Sequence, residues 1–550
     1  MSQLKRDVVL VNPKDGDMPY DYYATYENLG IAYLTASLRD NGISVAIVDA
    51  YARNMDYEEV LREIASYSPR LVGFTSTYRS YPEAVIIAES VKNIASGVHI
   101  TIGGEHVTYA ANEILNETTL FDSIVLGEGE VTIVELFKAI SSGNDLASVQ
   151  GLSYRKNGQI FKNNYCLPIS DLDTIPFPAR DTLDYCIENH KPGLIGILGS
   201  RGCAFNCSFC NANEFFSLGT KPSWRKRSPK NIVDELEYIY KNYYDKGLYK
   251  LIYFYDATFV YPNPSGRQWV REICEEIIKR DIHVTFEINC RADSFTGIDD
   301  DLVPLLKKAG LKSVFVGLES GSEDVLSHYN KKVSVNQNIY VMEILKRHGI
   351  QSTTNGFIML NPFITLNGLK DSANFLLKVE QCTYWNLSQK IQLFPGINLT
   401  KDLKNMGLLL DTYKHTEVYA YKFKDPRVEV LAEALDFSRE DIPTRENHLI
   451  RYVEILGSQL MDMVTNSDLL NDEEAEKLIK YKKSIDENRM EIFHHNLVFF
   501  AKAVDLALEN WTTNGFLEIK RDYLEEMDSK LNKLNDNFEK FLKFLDFLVK

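Results

Sequence analysis

What this chain of 550 residues has little of already narrows its chemistry. It holds no run of eighteen or more apolar residues, and "NLVFFAKAVDLAL" is interrupted by Lys502 and Asp505, so no membrane span is expected. The opening "MSQLKRDVVLVNP" has neither a long apolar core nor a small-residue cleavage site, so no signal peptide is read there and the chain reads as cytoplasmic. Basic residues are in the minority, 61 against 77 acidic, for a formal charge of −16. That balance argues against a general nucleic-acid surface and against attraction to anionic lipid. The main basic run, "KPSWRKRSPK" (Lys221–Lys230), reads as a solvated loop entering a helix. No G-x-G-x-x-G follows the first strand candidate, which counts against a nicotinamide site. Of the eight cysteines, those at 166, 186, 274, 290 and 382 stand singly, which is no disulfide framework.

What is present is alternation. Strand candidates at Val8–Val11, Ser44–Val48, Leu71–Thr75, His99–Ile102 and Ser123–Leu126 are short and rich in Val and Ile, with helical patterns between them. The fold class expected is α/β, opening on a doubly wound, Rossmann-like parallel sheet over 1–150 that binds ligands at the carboxyl ends of its strands. Residues 151–192, with three prolines in "LPISDLDTIPFPARDTLDY", read as an extended connector. A second series follows over 193–400, with strands at Leu194–Gly199, Leu251–Tyr255, Val284–Ile288, Ser313–Gly317, Thr353–Met359 and Ser388–Phe394. Six strand–helix units suggest a partial (β/α)6 barrel. Residues 401–550 read as mostly helical. Leu524, Met527, Leu531, Leu534, Phe538, Phe541 and Leu545 form an apolar stripe expected to pack on its own domain rather than to dimerise. His494 and His495 are helix neighbours pointing about 100° apart and are read as structural.

The remaining cysteines, Cys203, Cys207 and Cys210, lie directly after the apolar strand "LIGILGS", and no second CxxC exists in the chain. A structural zinc site uses four protein ligands, commonly as two close pairs. Three soft thiolates in one loop fit a four-iron cluster with one iron open. The CxxxCxxC spacing, with Phe209 just before the last cysteine, resembles the radical S-adenosylmethionine (SAM) superfamily. The resemblance implies a 4Fe-4S cluster on those three cysteines. The amino and carboxylate groups of SAM chelate the open iron, and reductive cleavage yields a 5′-deoxyadenosyl radical.

Further stretches carry the same resemblance. "YFYDATF" offers Asp256 at a strand end, either to accept from the methionyl ammonium or to act as a turn or helix-cap residue. "NCRAD" offers Arg291 to pair with the SAM carboxylate, the alternative being an ion pair with Asp293. "VGLESGS" offers Glu319 for the ribose or amino group. The fifth strand, ending Asn361-Pro362-Phe363-Ile364-Thr365, departs from the family's Gly-x-Pro-Gly-Glu-Thr. "LFPGINL" (Leu393–Leu399) resembles the segment after the sixth strand and is expected to close the barrel.

In the first domain, "IGGEHVTYAANEIL" resembles the Gly-Gly-x-His-x-Thr segment of cobalamin-binding domains fused to radical enzymes, and "VLGEGEVTIVEL" matches the same family. Gly103, Gly104, Glu105, His106, Thr108, Gly127 and Glu128 are therefore candidate cofactor contacts. His106 is expected to cap a helix rather than ligate cobalt. The stretch from Asn12 to Gly30 holds no histidine, so a histidine lower ligand is not expected there. Tyr78 and Arg79, in "TSTYRSY", are candidates to cover the face beneath cobalt, and the tyrosine-rich Tyr20–Tyr26 is a candidate cleft lining.

The domain order thus resembles a cobalamin-dependent radical SAM enzyme. It implies methylation of an unactivated carbon: one SAM methylates Co(I), and a second generates the radical that activates the substrate. The alternatives are a rearrangement, cyclisation or oxidation with the same cofactors, and a non-catalytic cobalamin- or metal-binding sensor. A small-molecule or peptide substrate and an electron donor such as flavodoxin or ferredoxin are the implied partners.

Overall fold

The computed structural model describes residues 5–14, 25–95, 97–191, 193–221, 223–246, 250–297, 301–354, 356–410, 415, 418–437, 440–465 and 471–549. Tyr20, Tyr22 and Tyr23 lie outside the described residues. The chain divides into two compact units. The first comprises Met1–Cys290, Gly297–Val314 and Gln392–Ala420. The second comprises Arg291–Thr296, Phe315–Ile391 and Tyr421–Lys550. Among the described residues no helix is long and apolar enough to cross a membrane.

The first unit opens on β1 (Val8–Asn12), β2 (Thr25–Tyr26), β3 (Val45–Asp49), β4 (Leu71–Thr75), β5 (His99–Gly103) and β6 (Ser123–Val125). In space the order is β3-β1-β4-β5-β6, all parallel, with β2 elsewhere. Val8, Val9, Val11, Val72, Ile100, Ile102 and Ile124 are fully buried, because helices cover both faces of the sheet. Two strands not expected from the sequence extend it. β7 (Leu152–Lys156) and β8 (Gln159–Lys162) add an antiparallel hairpin next to β6, so the connector begins after residue 162. Asn157 and Gly158 turn it with φ of 51° and 75°, the left-handed pair that a two-residue hairpin uses.

The second series of strands comprises β9 (Gly193–Ile197), β12 (Ile252–Phe254) and β13 (Phe286–Arg291), then β14 (Leu311–Gly317) and β15 (Gln351–Thr353). The short β10 (Ser200–Gly202) and β11 (Trp224–Lys226) form an antiparallel pair of their own. In the first unit, β2 pairs with β9, β9 with β12 and β12 with β13, all parallel. Two amino-terminal residues thereby become the edge of the second sheet. In the second unit, the end of β14 lies beside β15.

The fifth expected strand is shorter than anticipated, and the sixth is absent as a strand. Residues Tyr384–Ser388 are a helix, capped by the Thr383 hydroxyl accepting from the Asn386 N–H, and Lys390 makes only an isolated bridge to Leu360. Pro362 and Pro395 flank that bridge and donate no ladder hydrogen bond.

Long helices finish the second unit: Asp441–Thr465, Asp472–Glu509 and Thr513–Val549. Met527, Leu531, Leu534, Phe538, Phe541 and Leu545 are buried and Leu524 is half-buried, so the stripe packs on its own unit as expected. His495 stacks on Tyr523 at 5.1 Å, and its Nε2 meets the Tyr523 carbonyl at 3.0 Å.

One carboxyl is sealed inside this helical unit. Glu446 is 0% exposed, accepts from the Tyr384 N–H at 3.1 Å and accepts from Asn496 Nδ2 at 2.7 Å. Burial pushes it from an ordinary 4.5 up to about 7. Between those values the folded chain keeps a proton that the unfolded chain has released, so stability falls as pH rises through this window. Glu446→Gln is expected to remove a loss worth up to about 3 kcal/mol across that window, stabilising the fold at pH 8 and leaving it little changed at pH 4.5. Urea unfolding at both pH values checks this.

Candidate functional site

The cysteine loop starts where a buried strand ends. β9 is buried throughout, and β10 leads to Cys203. Gly202, at φ 83°, has Ser223 O only 2.4 Å from where a Cβ would stand, so the residue before Cys203 must be glycine. Cys207 is buried, while Cys203, Phe209 and Cys210 are half-buried. The Cys210 N–H donates to the Cys207 carbonyl at 3.2 Å, and Asn213 Nδ2 donates to the Phe205 carbonyl at 2.8 Å, folding the loop back on itself. Among the described residues no three His, Cys, Asp or Glu side chains converge on a single ion, so the loop is not a preformed one-metal site. Three thiols from one loop suit a cluster that takes its last ligand from elsewhere.

Asp256 corrects an expectation. It is 0% exposed, accepting from the Gly199 N–H at 2.9 Å on one oxygen and from the Ser200 hydroxyl on the other. It is not positioned to meet a methionyl ammonium, and burial pushes its carboxyl up to about 6. Glu128 is corrected likewise. Its carboxylate takes Arg225 through both guanidinium NH groups, one at 3.1 Å, lies 3.7 Å from Arg201, and accepts from the Ile169 N–H at 3.1 Å. Arg201 also pairs with the buried Glu130 at 2.5 Å. These charges form an internal network between the amino-terminal sheet and the stretch before Cys203.

The glycine loop sits at the carboxyl end of β5. Gly104, at φ 119°, would place a Cβ 2.6 Å from Ser76 O, so the loop presses against the one that follows β4. Gly103 receives the Ser76 N–H at 2.9 Å. Thr108 ties two loops together, its Oγ1 donating to the Gly104 carbonyl at 2.8 Å and accepting from the Gly127 N–H at 3.2 Å. His106 does not cap the helix Glu105–Tyr109, where Gly104 holds the cap position. Its ring is buried beside Tyr81 and His415, and burial lowers it to about 4, so it is neutral at pH 7. Burial raises Glu105 to about 7. Arg79 Nε donates to the Tyr78 hydroxyl at 2.9 Å, and the Tyr78 ring lies 5.6 Å from Phe394.

The segment Leu393–Leu399 draws these loops together within the first unit. Gly396, at φ 89°, lies against Tyr109, whose ring would be 2.5 Å from a Cβ there. Asn398 Nδ2 donates to Asn206 and Glu214, and the Leu399 N–H donates to the Ser208 carbonyl at 2.8 Å. Sequence reasoning saw this segment as closing the barrel and missed that it joins the glycine loop to the cysteine loop.

In the second unit, Arg291 forms a two-pronged pair with Asp293 at 2.9 and 3.1 Å and donates to the Lys331 carbonyl at 2.6 Å. The ion pair weighed as its alternative is what forms. Glu319 adopts φ 64°, rare for a residue with a side chain, and accepts from Lys331 Nζ at 2.7 Å. Lys331, unnoticed in the sequence, links both residues.

Comparison with known proteins decides what this arrangement is. Residues 21–137 match the B12 binding domain, and residues 197–376 match the radical SAM superfamily. The chain belongs to the cobalamin-dependent radical SAM enzymes. Its cofactors are accordingly a 4Fe-4S cluster, SAM and cobalamin. It is similar to an uncharacterized methyltransferase of Pyrococcus horikoshii, with 29% identity over 64% of this chain and 73% of that one. It is also similar to an anaerobic magnesium-protoporphyrin IX monomethyl ester cyclase of Rubrivivax gelatinosus, with 31% identity over 58% of this chain and 56% of the cyclase. The fold of this radical SAM enzyme matches that of the cobalamin-dependent enzyme OxsB, solved with aqua-cobalamin bound, at a TM-score of 0.73 and 18% identity, over 98% of this chain and 84% of OxsB.

Proposed function

We propose that this radical SAM enzyme is a C-methyltransferase acting on an unactivated carbon of a small molecule or peptide. In this reading it works in the cytoplasm with a flavodoxin- or ferredoxin-type electron donor. Residues 1–162 hold cobalamin, 163–192 connect, 193–400 hold the cluster and SAM, and 401–550 form the helical region. Cys203, Cys207 and Cys210 hold the cluster, with Phe209 beside it and Glu319 near SAM. Gly103, Gly104, Glu105, Thr108 and Gly127 line the cobalamin cradle, and Tyr78 and Arg79 cover its lower face. When bound, the three cofactors supply reductive bond cleavage and a transferable methyl group.

The protein's own part is placement. The observation that carries the reading is the Leu393–Leu399 segment, which rests on Tyr109 at Gly396 and donates to Ser208 from Leu399, holding both cofactor loops to one edge. The similarity to a methyltransferase supports methyl transfer, and the similarity to a cyclase names its rival. Enzyme reconstituted anaerobically with iron, sulfide and hydroxocobalamin, then reduced, is expected to form S-adenosylhomocysteine in an amount matching its bound cobalamin, together with slower 5′-deoxyadenosine. Deoxyadenosine with no S-adenosylhomocysteine would favour the cyclase-like chemistry, and neither product would leave a non-catalytic binder.

A further inference from the structure

We infer that Asp256 is a positioning residue for the cluster loop: its buried carboxyl grips the chain at Gly199 and Ser200 and so fixes where Cys203 presents its thiol. The carboxyl is fully enclosed, and each oxygen has its own donor, the Gly199 N–H at 2.9 Å and the Ser200 hydroxyl. Gly199 sits in the turn between β9 and β10 and Ser200 is the first residue of β10, which delivers Cys203 as the next residue. Only two residues, Arg201 and Gly202, separate Ser200 from Cys203.

The same turn is held from its other side, where the Arg227 N–H donates to the Gly199 carbonyl at 2.9 Å. Asp256 is itself anchored, since its carbonyl accepts from Asn289 Nδ2 at 3.1 Å and the preceding Tyr255 N–H donates to the Ile197 carbonyl at 2.9 Å. Three neighbouring strands thus converge on the entrance to the cysteine loop, and Asp256 is the side chain that closes the connection. Gly199 is closely packed, because a Cβ there would stand 3.1 Å from Trp269 and 3.3 Å from Asp256 Oδ1. A metal-binding side chain depends on the groups that orient it, and removing such a group typically weakens metal retention about tenfold to a hundredfold.

The inference rests on Cys203 being a cluster ligand, which the wild-type protein tests by itself. If the reconstituted wild type binds no cluster, that reading falls first. Given a wild-type cluster, Asp256→Asn retains the side chain's shape but swaps one acceptor for a donor, and Ser200→Ala removes one contact. Both are expected to assemble the cluster, to lose iron to a ferrous chelator about tenfold faster than wild type, and to give an altered electron paramagnetic resonance signal in the reduced state. Ser200→Thr, which restores a hydroxyl, is expected to bring both readouts back toward wild type. Circular dichroism controls for global folding. Iron loss and spectrum matching wild type in a folded Asp256→Asn protein would overturn the inference. So would a loss of iron in Ser200→Ala that Ser200→Thr does not reverse.

Discussion

Arg180→Met is expected to destabilise the fold by about 3–5 kcal/mol, because it strips the cation from a sealed charge cluster. Arg180 donates to Glu27 at 2.5 Å, to Glu235 at 2.7 Å and to the Gly196 carbonyl at 2.9 Å. All three side chains are essentially inaccessible. Arg227 neutralises Glu235 from the other side, at 2.5 Å, but among the described residues nothing of the kind is seen for Glu27, whose other donor there is the Gly196 N–H. Burial already pushes Glu27 up to about 7 with the guanidinium in place. Without it the carboxyl must be protonated to stay inside, so the loss should be greater at pH 8 than at pH 6. Urea unfolding at both pH values reads it. Adding Glu27→Gln should recover part of the loss, since a neutral amide keeps an acceptor for the Gly196 N–H. A loss under about 1 kcal/mol at pH 8 would mean that water reaches these groups.

Cys203→Ala, Cys207→Ala and Cys210→Ala are each expected to reduce iron from about four per chain to near zero and to slow SAM cleavage at least about a thousandfold. The three need not cost stability equally. Cys207 is buried, so its removal opens a small void, whereas Cys203 and Cys210 are half-exposed and their truncation should leave unfolding nearly unchanged. Iron analysis, visible absorption and 5′-deoxyadenosine formation under dithionite read the effect. A single variant with full iron and full turnover would mean that another residue completes the ligand set.

Where the chain buries a strand on both faces, its composition announces it. The five amino-terminal strands lie within a residue or two of their Val- and Ile-rich runs. The β7–β8 hairpin went unread although Asn157-Gly158 marks it, because β8 is largely exposed and carries little apolar signal. Two residues, Thr25–Tyr26, make a strand only through a distant partner, and no local pattern can show that. The cysteine triad is legible because its spacing is itself the chemistry.

The acids and bases around the triad are not legible in that way. Asp256 and Glu128 each occupy a strand end or loop where a cofactor contact was expected. Their partners, Ser200 and Arg225, stand 56 and 97 residues away in the chain. A buried charge finds its complement in three dimensions, and residue type alone does not say whether that complement is protein or ligand.

The pairing of Thr25–Tyr26 with Gly193–Leu194 also bears on how the protein is made. During synthesis the amino-terminal edge strand leaves the ribosome well over a hundred residues before its partner exists, so that segment must wait while the sheet it branches from is already assembling. Splitting the gene between the two halves should therefore give an amino-terminal fragment with a dangling end and a carboxyl-terminal fragment with a bare sheet margin prone to self-association.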